Sequence, residues 1–365
     1  MELAGLLGLT LLSMSLGWFV DTDDDDDSSD DADSGTDVGT DTGTDVGTDT
    51  GTDTDTSGDE TPIDVVFGTG GDDDLSGGSQ QDTIVGDVGD DSIVGNGGND
   101  ILDGEDGADS LLGGDGDDQV FGAAGNDTLN GDAGNDLVAG GTGDDLVRGG
   151  TGDDQVFGDD GNDVVDGLDG NDEVVGGPGD DTLAGGFGDD TLFGSEGDDS
   201  LTGGEGEDSL VGQAGSDLLD GDDGKDRLFG IWDGADDGVV AAQDLFDPDV
   251  LLGGPGDDEF QLGSGDAAFG EEGTDIFYTG TWVDPDAAPM IFDLEEDEVV
   301  IVSVPAGTSA DTAITLETDE DTGDTLVQAN GQTVAVIGAD SVNVSIDQIL
   351  MVESPTLAAP TSAAA

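Results

Sequence analysis

Gly140-Gly141-Thr142-Gly143-Asp144-Asp145-Leu146-Val147-Arg148 is one unit of a pattern that recurs without a break. Residues 68–229 divide into 18 consecutive nonapeptides with no insertion or deletion. Position 1 is glycine in all 18, and position 4 is glycine in 17, Gln80 being the exception. Position 6 is aspartate and position 8 is Leu, Ile or Val in every unit. Four positions held in register over such a length are the signature of a stacked-repeat architecture rather than of biased composition.

Each unit has a physical reading. Six glycine-rich residues suit a tight turn, because glycine accepts φ > 0 at little cost. The remaining three, of the form x-U-x, make a minimal strand with one aliphatic side chain pointing inward. Two units close one rung, and stacked rungs pair strand with strand. Nine rungs at the interstrand spacing of ~4.8 Å give a roll ~43 Å long. The expected fold is therefore all-β, a parallel β-roll.

Stacking also aligns the turns. Position-6 aspartates of units n and n+2 fall above one another along one edge, where bare carboxylates would repel. The aspartates concerned are Asp73, Asp82, Asp91, Asp100, Asp109, Asp118, Asp127, Asp136, Asp145, Asp154, Asp163, Asp172, Asp181, Asp190, Asp199, Asp208, Asp217 and Asp226. A Ca²⁺ ion between such a pair, with carbonyls of the glycine loops, gains the about six to eight oxygens that it prefers. Magnesium demands a stricter octahedron and gives up water reluctantly, so a flexible, carbonyl-rich edge favours calcium. The position-5 residues, such as Asp72 and Asn99, are expected to face solvent. One aliphatic per nine residues buries too little apolar surface to offset the ordering of the backbone. The metal-free roll is thus expected to be unfolded, with metal-binding energy serving as folding energy.

Composition agrees. The chain has 365 residues, 92 of them acidic, and its only basic ones are Arg148, Lys225 and Arg227, for a formal charge of −89. Such a polyanion repels phosphate backbones, which argues against nucleic acid as a partner. Cysteine and histidine are both absent, which removes disulfides, thiolate sites, the usual zinc ligand and every Ser-His-Asp arrangement. Carboxylates and carbonyls, hard oxygen donors, remain.

The pattern Gly-Gly-x-Gly-x-Asp-x-U-x resembles that of the repeats-in-toxin family of secreted calcium-binding proteins. The likeness is tight over 68–229 and loose over 253–278. It implies a right-handed β-roll, export through a type I channel, and folding once the chain meets calcium outside the cell. The apolar N-terminus departs from the family, whose usual members carry no N-terminal signal.

The rest of the chain divides by composition. Residues 1–20 contain an apolar run, Leu3 to Val20, spanning ~27 Å as a helix. It reads as an export or anchor segment, retained or cleaved, or else as a surface or buried helix; no Lys or Arg precedes it. Residues 21–61 are an acidic Gly-Thr-Asp linker with too little apolar content to order itself. The roll takes 62–229. Residues 230–252 form an insertion with Trp232 and Phe246, and 253–278 hold degenerate repeats. Among these Asp258 and Asp275 keep the position-6 carboxylate, while the middle unit places Ala267 there. Residues 279–365 read as a small β cap: 299–304, 313–318, 324–329 and 332–337 are strand-like, with Asp-Thr-Gly-Asp and Asn-Gly turns between them, and the resemblance implies that the region also carries a secretion signal.

Position 9 separates into two faces. One carries Phe67, Val85, Asp103, Phe121, Ala139, Phe157, Val175, Phe193, Val211 and Phe229. Phe121, Phe157, Phe193 and Phe229 recur every 36 residues, ~9.6 Å along the roll. Duplication of a 36-residue block, or intramolecular cover, accounts for the stripe as well as a docking face does; the docking face would serve a second copy or another protein.

The sequence thus points to an extracellular or surface calcium-binding structural protein binding several Ca²⁺ ions, with an adhesive or a matrix role both open to it. The alternatives are an accessory module of a secreted enzyme and a cytolytic toxin. No His-Glu-x-x-His, Gly-x-Ser-x-Gly or P-loop is present, so an enzyme is not expected.

Overall fold

The position-8 aliphatics decide the architecture. In the computed structural model they alternate between two sheets and meet in one core, from Leu75 and Ile84 to Leu219 and Leu228, nearly all fully buried. The structure describes residues 64–230 and 248–354, apart from 281–282, 285–286, 306, 340 and 342–343. The apolar N-terminal segment, the acidic linker, Trp232, Phe246 and the chain after Ser354 lie outside the described residues. Among the described residues no helix is long and apolar enough to cross a membrane.

Among the described residues two sheets, of 14 and 15 strands, carry the repeats alternately. Within the roll each strand pairs in parallel with the strand 18 residues on. Val147 faces Leu129 on one side and Val165 on the other. This is the expected parallel β-roll.

The strands are longer than x-U-x. Most run to six residues, as in Leu146–Thr151, taking in positions 7–9 and the first three of the next unit. Pairing skips Gly149 and resumes at Gly150 and Thr151. The skipped position-1 glycine is conserved in the repeat for room rather than for its φ. A Cβ on Gly149 would stand 2.6 Å from Asp154 Oδ2 and 2.8 Å from the carbonyl oxygen of Gly167. Left-handed backbone falls instead at positions 2 and 4, as at Ala123 (φ 73°) and Gly143 (φ 138°). At position 4 a Cβ would also overlap the carbonyl of the rung below.

Beyond the uninterrupted nonapeptides, the roll continues. Val250–Leu252 pairs with Leu218–Gly224 on one side and Ala267–Phe269 on the other. The end of the supposed insertion at 230–252 is therefore a strand of the roll, because Asp249-Val250-Leu251 repeats the acid-x-aliphatic core of the motif. Phe260 and Phe277 replace the aliphatic and stack, ring centroids 4.8 Å apart.

The C-terminal β region continues both sheets. Ile276–Gly280, Val299–Pro305 and Ile349–Ser354 extend the first sheet in parallel. Met290–Ile291 and Gln332–Ile337 extend the second, which ends in the antiparallel strands Thr325–Ala329 and Ile314–Thr318. Asn330 and Gly331 both have φ > 0, as a two-residue hairpin turn requires.

On the phenylalanine face the rings are mostly half-buried. Phe157 lies in register between Ala139 and Val175, so the rungs themselves cover part of the stripe. Phe67, on the first described strand, is 71% exposed.

Candidate metal centre

Each position-6 aspartate sits where the turn hands over to the strand, and its side chain turns inward along the edge of the core. From Asp82 to Asp226 these carboxylates are at most 3% exposed. They form two rows, one at each turn. One contains Asp82, Asp100, Asp118, Asp136, Asp154, Asp172, Asp190, Asp208, Asp226, Asp258 and Asp275. The other contains Asp73, Asp91, Asp109, Asp127, Asp145, Asp163, Asp181, Asp199 and Asp217, and continues with Asp249 and Asp266.

Within a row the backbone N–H of each aspartate donates to Oδ1 of the next, at 2.7–2.9 Å from Asp82 to Asp226. The second oxygen is different. Oδ2 has no hydrogen-bond partner in every position-6 aspartate from Asp91 to Asp208, nor in Asp226, Asp258 and Asp275. A buried carboxylate oxygen with nothing to accept is costly to keep. At the first rung the ladder differs: Asp73 Oδ2 accepts from the Thr69 N–H at 2.6 Å, and Asp82 Oδ2 from the Gly78 N–H at 2.6 Å.

Burial sets the electrostatics. Desolvation pushes the carboxyl of Asp100 up to about 6 and that of Asp154 up to about 7, with the N–H bond to Oδ1 pulling the other way and neighbouring aspartates adding to the rise. Asp226 reaches about 8, again chiefly by desolvation, with Asp258 and Asp208 contributing.

These residues fit a hard cation. Beside Gly149, Asp154 Oδ2 and the Gly167 carbonyl oxygen both approach the space that a Cβ would take, and the same arrangement recurs unit after unit. Among the described residues no three acidic side chains are placed to hold one ion by themselves, so carbonyls would have to complete any shell. Bound there, Ca²⁺ would supply the positive charge that the Oδ2 rows lack.

Counting strictly by nine hid three acids. Asp249 and Asp266 are buried and belong to the second row; the turn before Asp266 is one residue short, so Asp266 takes the place that the count gave to Ala267. Asp266 Oδ2 accepts from the Gly263 N–H. Glu298 is the third. In all three the acid-x-aliphatic triad, Asp249-Val250-Leu251, Asp266-Ala267-Ala268 and Glu298-Val299-Val300, is readable in the sequence. Position 5 faces solvent as expected, yet it also builds a ladder. Asp144 Oδ1 accepts from the Asn162 N–H at 3.1 Å, and Asn162 Oδ1 from the Asp180 N–H at 3.0 Å.

Comparison with known proteins agrees with this geometry. The model of the RTX calcium-binding nonapeptide repeat matches in overlapping copies over 63–230 and again over 246–267, just over half of the chain. The second span reaches back across Asp249 and includes Asp266. No curated protein matches the sequence. Among solved structures, the extracellular lipase LipA from Serratia marcescens matches with 14% identity and a TM-score of 0.15, over 80% of this chain and 41% of the lipase. The chain thus spans less than half of that protein's length, and at such a TM-score the likeness says nothing of activity. The unbroken nonapeptides, the parallel roll that they build and the family match identify the chain as a member of the RTX calcium-binding nonapeptide repeat family.

Proposed function

We propose that this is an extracellular calcium-binding structural protein whose roll folds when Ca²⁺ enters the two aspartate rows after export. The observation that carries the reading is the run of buried Oδ2 atoms with no donor. Neutralised by calcium, each row becomes a cohesive seam; left bare, it opposes folding. Asp73 and Asp82 begin the rows, and Asp258 and Asp275 extend the first of them beyond the uninterrupted repeats. Secretion accords with the family and with a chain free of cysteine. We read the role as structural and adhesive, not enzymatic, with the phenylalanine face as a contact for a second copy.

Equilibrium dialysis of the full chain against calcium tests the central reading. Several ions bound per chain, all removed by chelator, is the expected result; a chain that binds none would refute it. Sedimentation of a Phe157→Asp, Phe193→Asp double variant in calcium tests the contact: association of the wild type that the variant loses supports it, and identical behaviour of the two removes it.

A further inference from the structure

The first aspartate row does not end with the last nonapeptide. Asp258 N–H donates to Asp275 Oδ1 at 2.9 Å. Ile276 then pairs with Val299, which sets Glu298 against Asp275 in the register that an aspartate holds elsewhere. Glu298 lies in the C-terminal β region, outside every nonapeptide, and is 1% exposed.

Its surroundings leave a charge unanswered. Oε2 accepts from the Glu295 N–H at 2.7 Å, but no N–H or O–H group of another residue faces Oε1 or Asp275 Oδ2, and the two carboxyl groups lie within hydrogen-bond reach of each other. Desolvation, together with Asp275, pushes the Glu298 carboxyl up to about 8. Asp293 adds a third negative group close by, with its own oxygens taken by the N–H groups of Gly270 (2.9 Å) and Glu271 (3.1 Å). The one buried amide at this end, Gln348, donates to the carbonyls of Glu295 and Glu298 and not to the acids. Lys225 and Arg227 pair with Glu259, and Arg148 lies near Asp166 in the middle of the roll. No cationic side chain of the described residues answers the pair.

We propose that Asp275 and Glu298 together hold a further calcium ion, outside the repeats, at the junction of the roll with the C-terminal β region. Glutamate suits the place because the turn has changed there: its longer side chain reaches the row from a segment that no longer has the glycine loop. This ion would tie Val299–Pro305 to the roll, so that the C-terminal strands and the repeats share one metal-dependent seam. The inference rests on the calcium reading of the rows.

The test counts calcium in the full chain at neutral pH by native mass spectrometry, wild type against Glu298→Gln. The expected result is one ion fewer in the variant, with unchanged far-UV circular dichroism at saturating calcium. An equal count in a folded variant would overturn the proposal, the pair then sharing a proton. A wild type that binds no calcium would instead sink the broader reading, a distinct outcome. Should Glu298→Gln fail to fold, infrared spectra of the calcium-saturated wild type decide. The band of a buried protonated carboxyl would overturn the site, and its absence would support it.

Discussion

At the scale of single residues, glycine and aspartate divide the work. The aspartate carboxylate supplies a buried oxygen, and the position-1 glycine leaves room for it. Gly149→Ala should therefore push a methyl group against Asp154 Oδ2 and the Gly167 carbonyl, lowering stability in calcium by about 1–3 kcal/mol, the usual cost of overpacking. Denaturant unfolding at saturating calcium would measure it; no loss would mean that the crowding is relieved elsewhere. Asp154→Asn keeps an acceptor for the Asp136 N–H but removes the charge. It should weaken calcium binding while leaving the ladder intact, as a titration followed by calorimetry would show. The position-6 aspartates were legible because the repeat never slips before residue 230. Asp249, Asp266 and Glu298 were not, because each follows a change in turn length, and a fixed count cannot follow a turn that changes. The acid-x-aliphatic triad survives such changes, since it is fixed by the strand and not by the loop.

Strands are the next scale, and they depend on one buried side chain each. Leu192 is fully buried, with Val174 and Leu210 as its neighbours in register. Leu192→Ala should cost about 2–5 kcal/mol, the range for such truncations in a packed core, again read by denaturant unfolding in calcium. A smaller loss would mean that adjacent rungs close over the gap. The sequence showed where each strand's core residue lies but not how long the strand is. Pairing through positions 1–3 depends on rung-to-rung carbonyl geometry that a single unit does not display. The hairpin at Asn330-Gly331 was readable from its turn residues alone; that its strand Gln332–Ile337 adds in parallel to Met290–Ile291 was not, since that contact joins distant segments.

For the whole molecule, the rows make folding a question of charge. In the metal-free roll, burial raises the aspartate values above the ordinary 3.8, to about 6 to 7 at Asp100, Asp154 and Asp190. The folded state therefore binds more protons than the unfolded chain between those limits. The stability contribution is fully present below about 3.8 and is lost as pH rises through about 6 to 7. With chelator present, the chain should gain β signal on going from about pH 8 to about pH 5. With calcium, the same change should weaken the metal, which needs deprotonated carboxylates. Circular dichroism across that range checks both signs, and a chelated chain that loses β signal on acidification would contradict the first. Repetition made the architecture legible, since a periodic core and a periodic charge together leave few alternatives. The fusion of the C-terminal β region to both sheets was hidden, because its strands follow no repeat.

The most direct measurement is far-UV circular dichroism of the full chain during a calcium titration at neutral pH, with magnesium as control. Calcium should convert coil to β-structure, chelator should reverse the change, and magnesium should not reproduce it. A chain already β-rich in chelator at neutral pH, or one that stays coil at saturating calcium, would contradict the view that calcium in the aspartate rows holds this fold together.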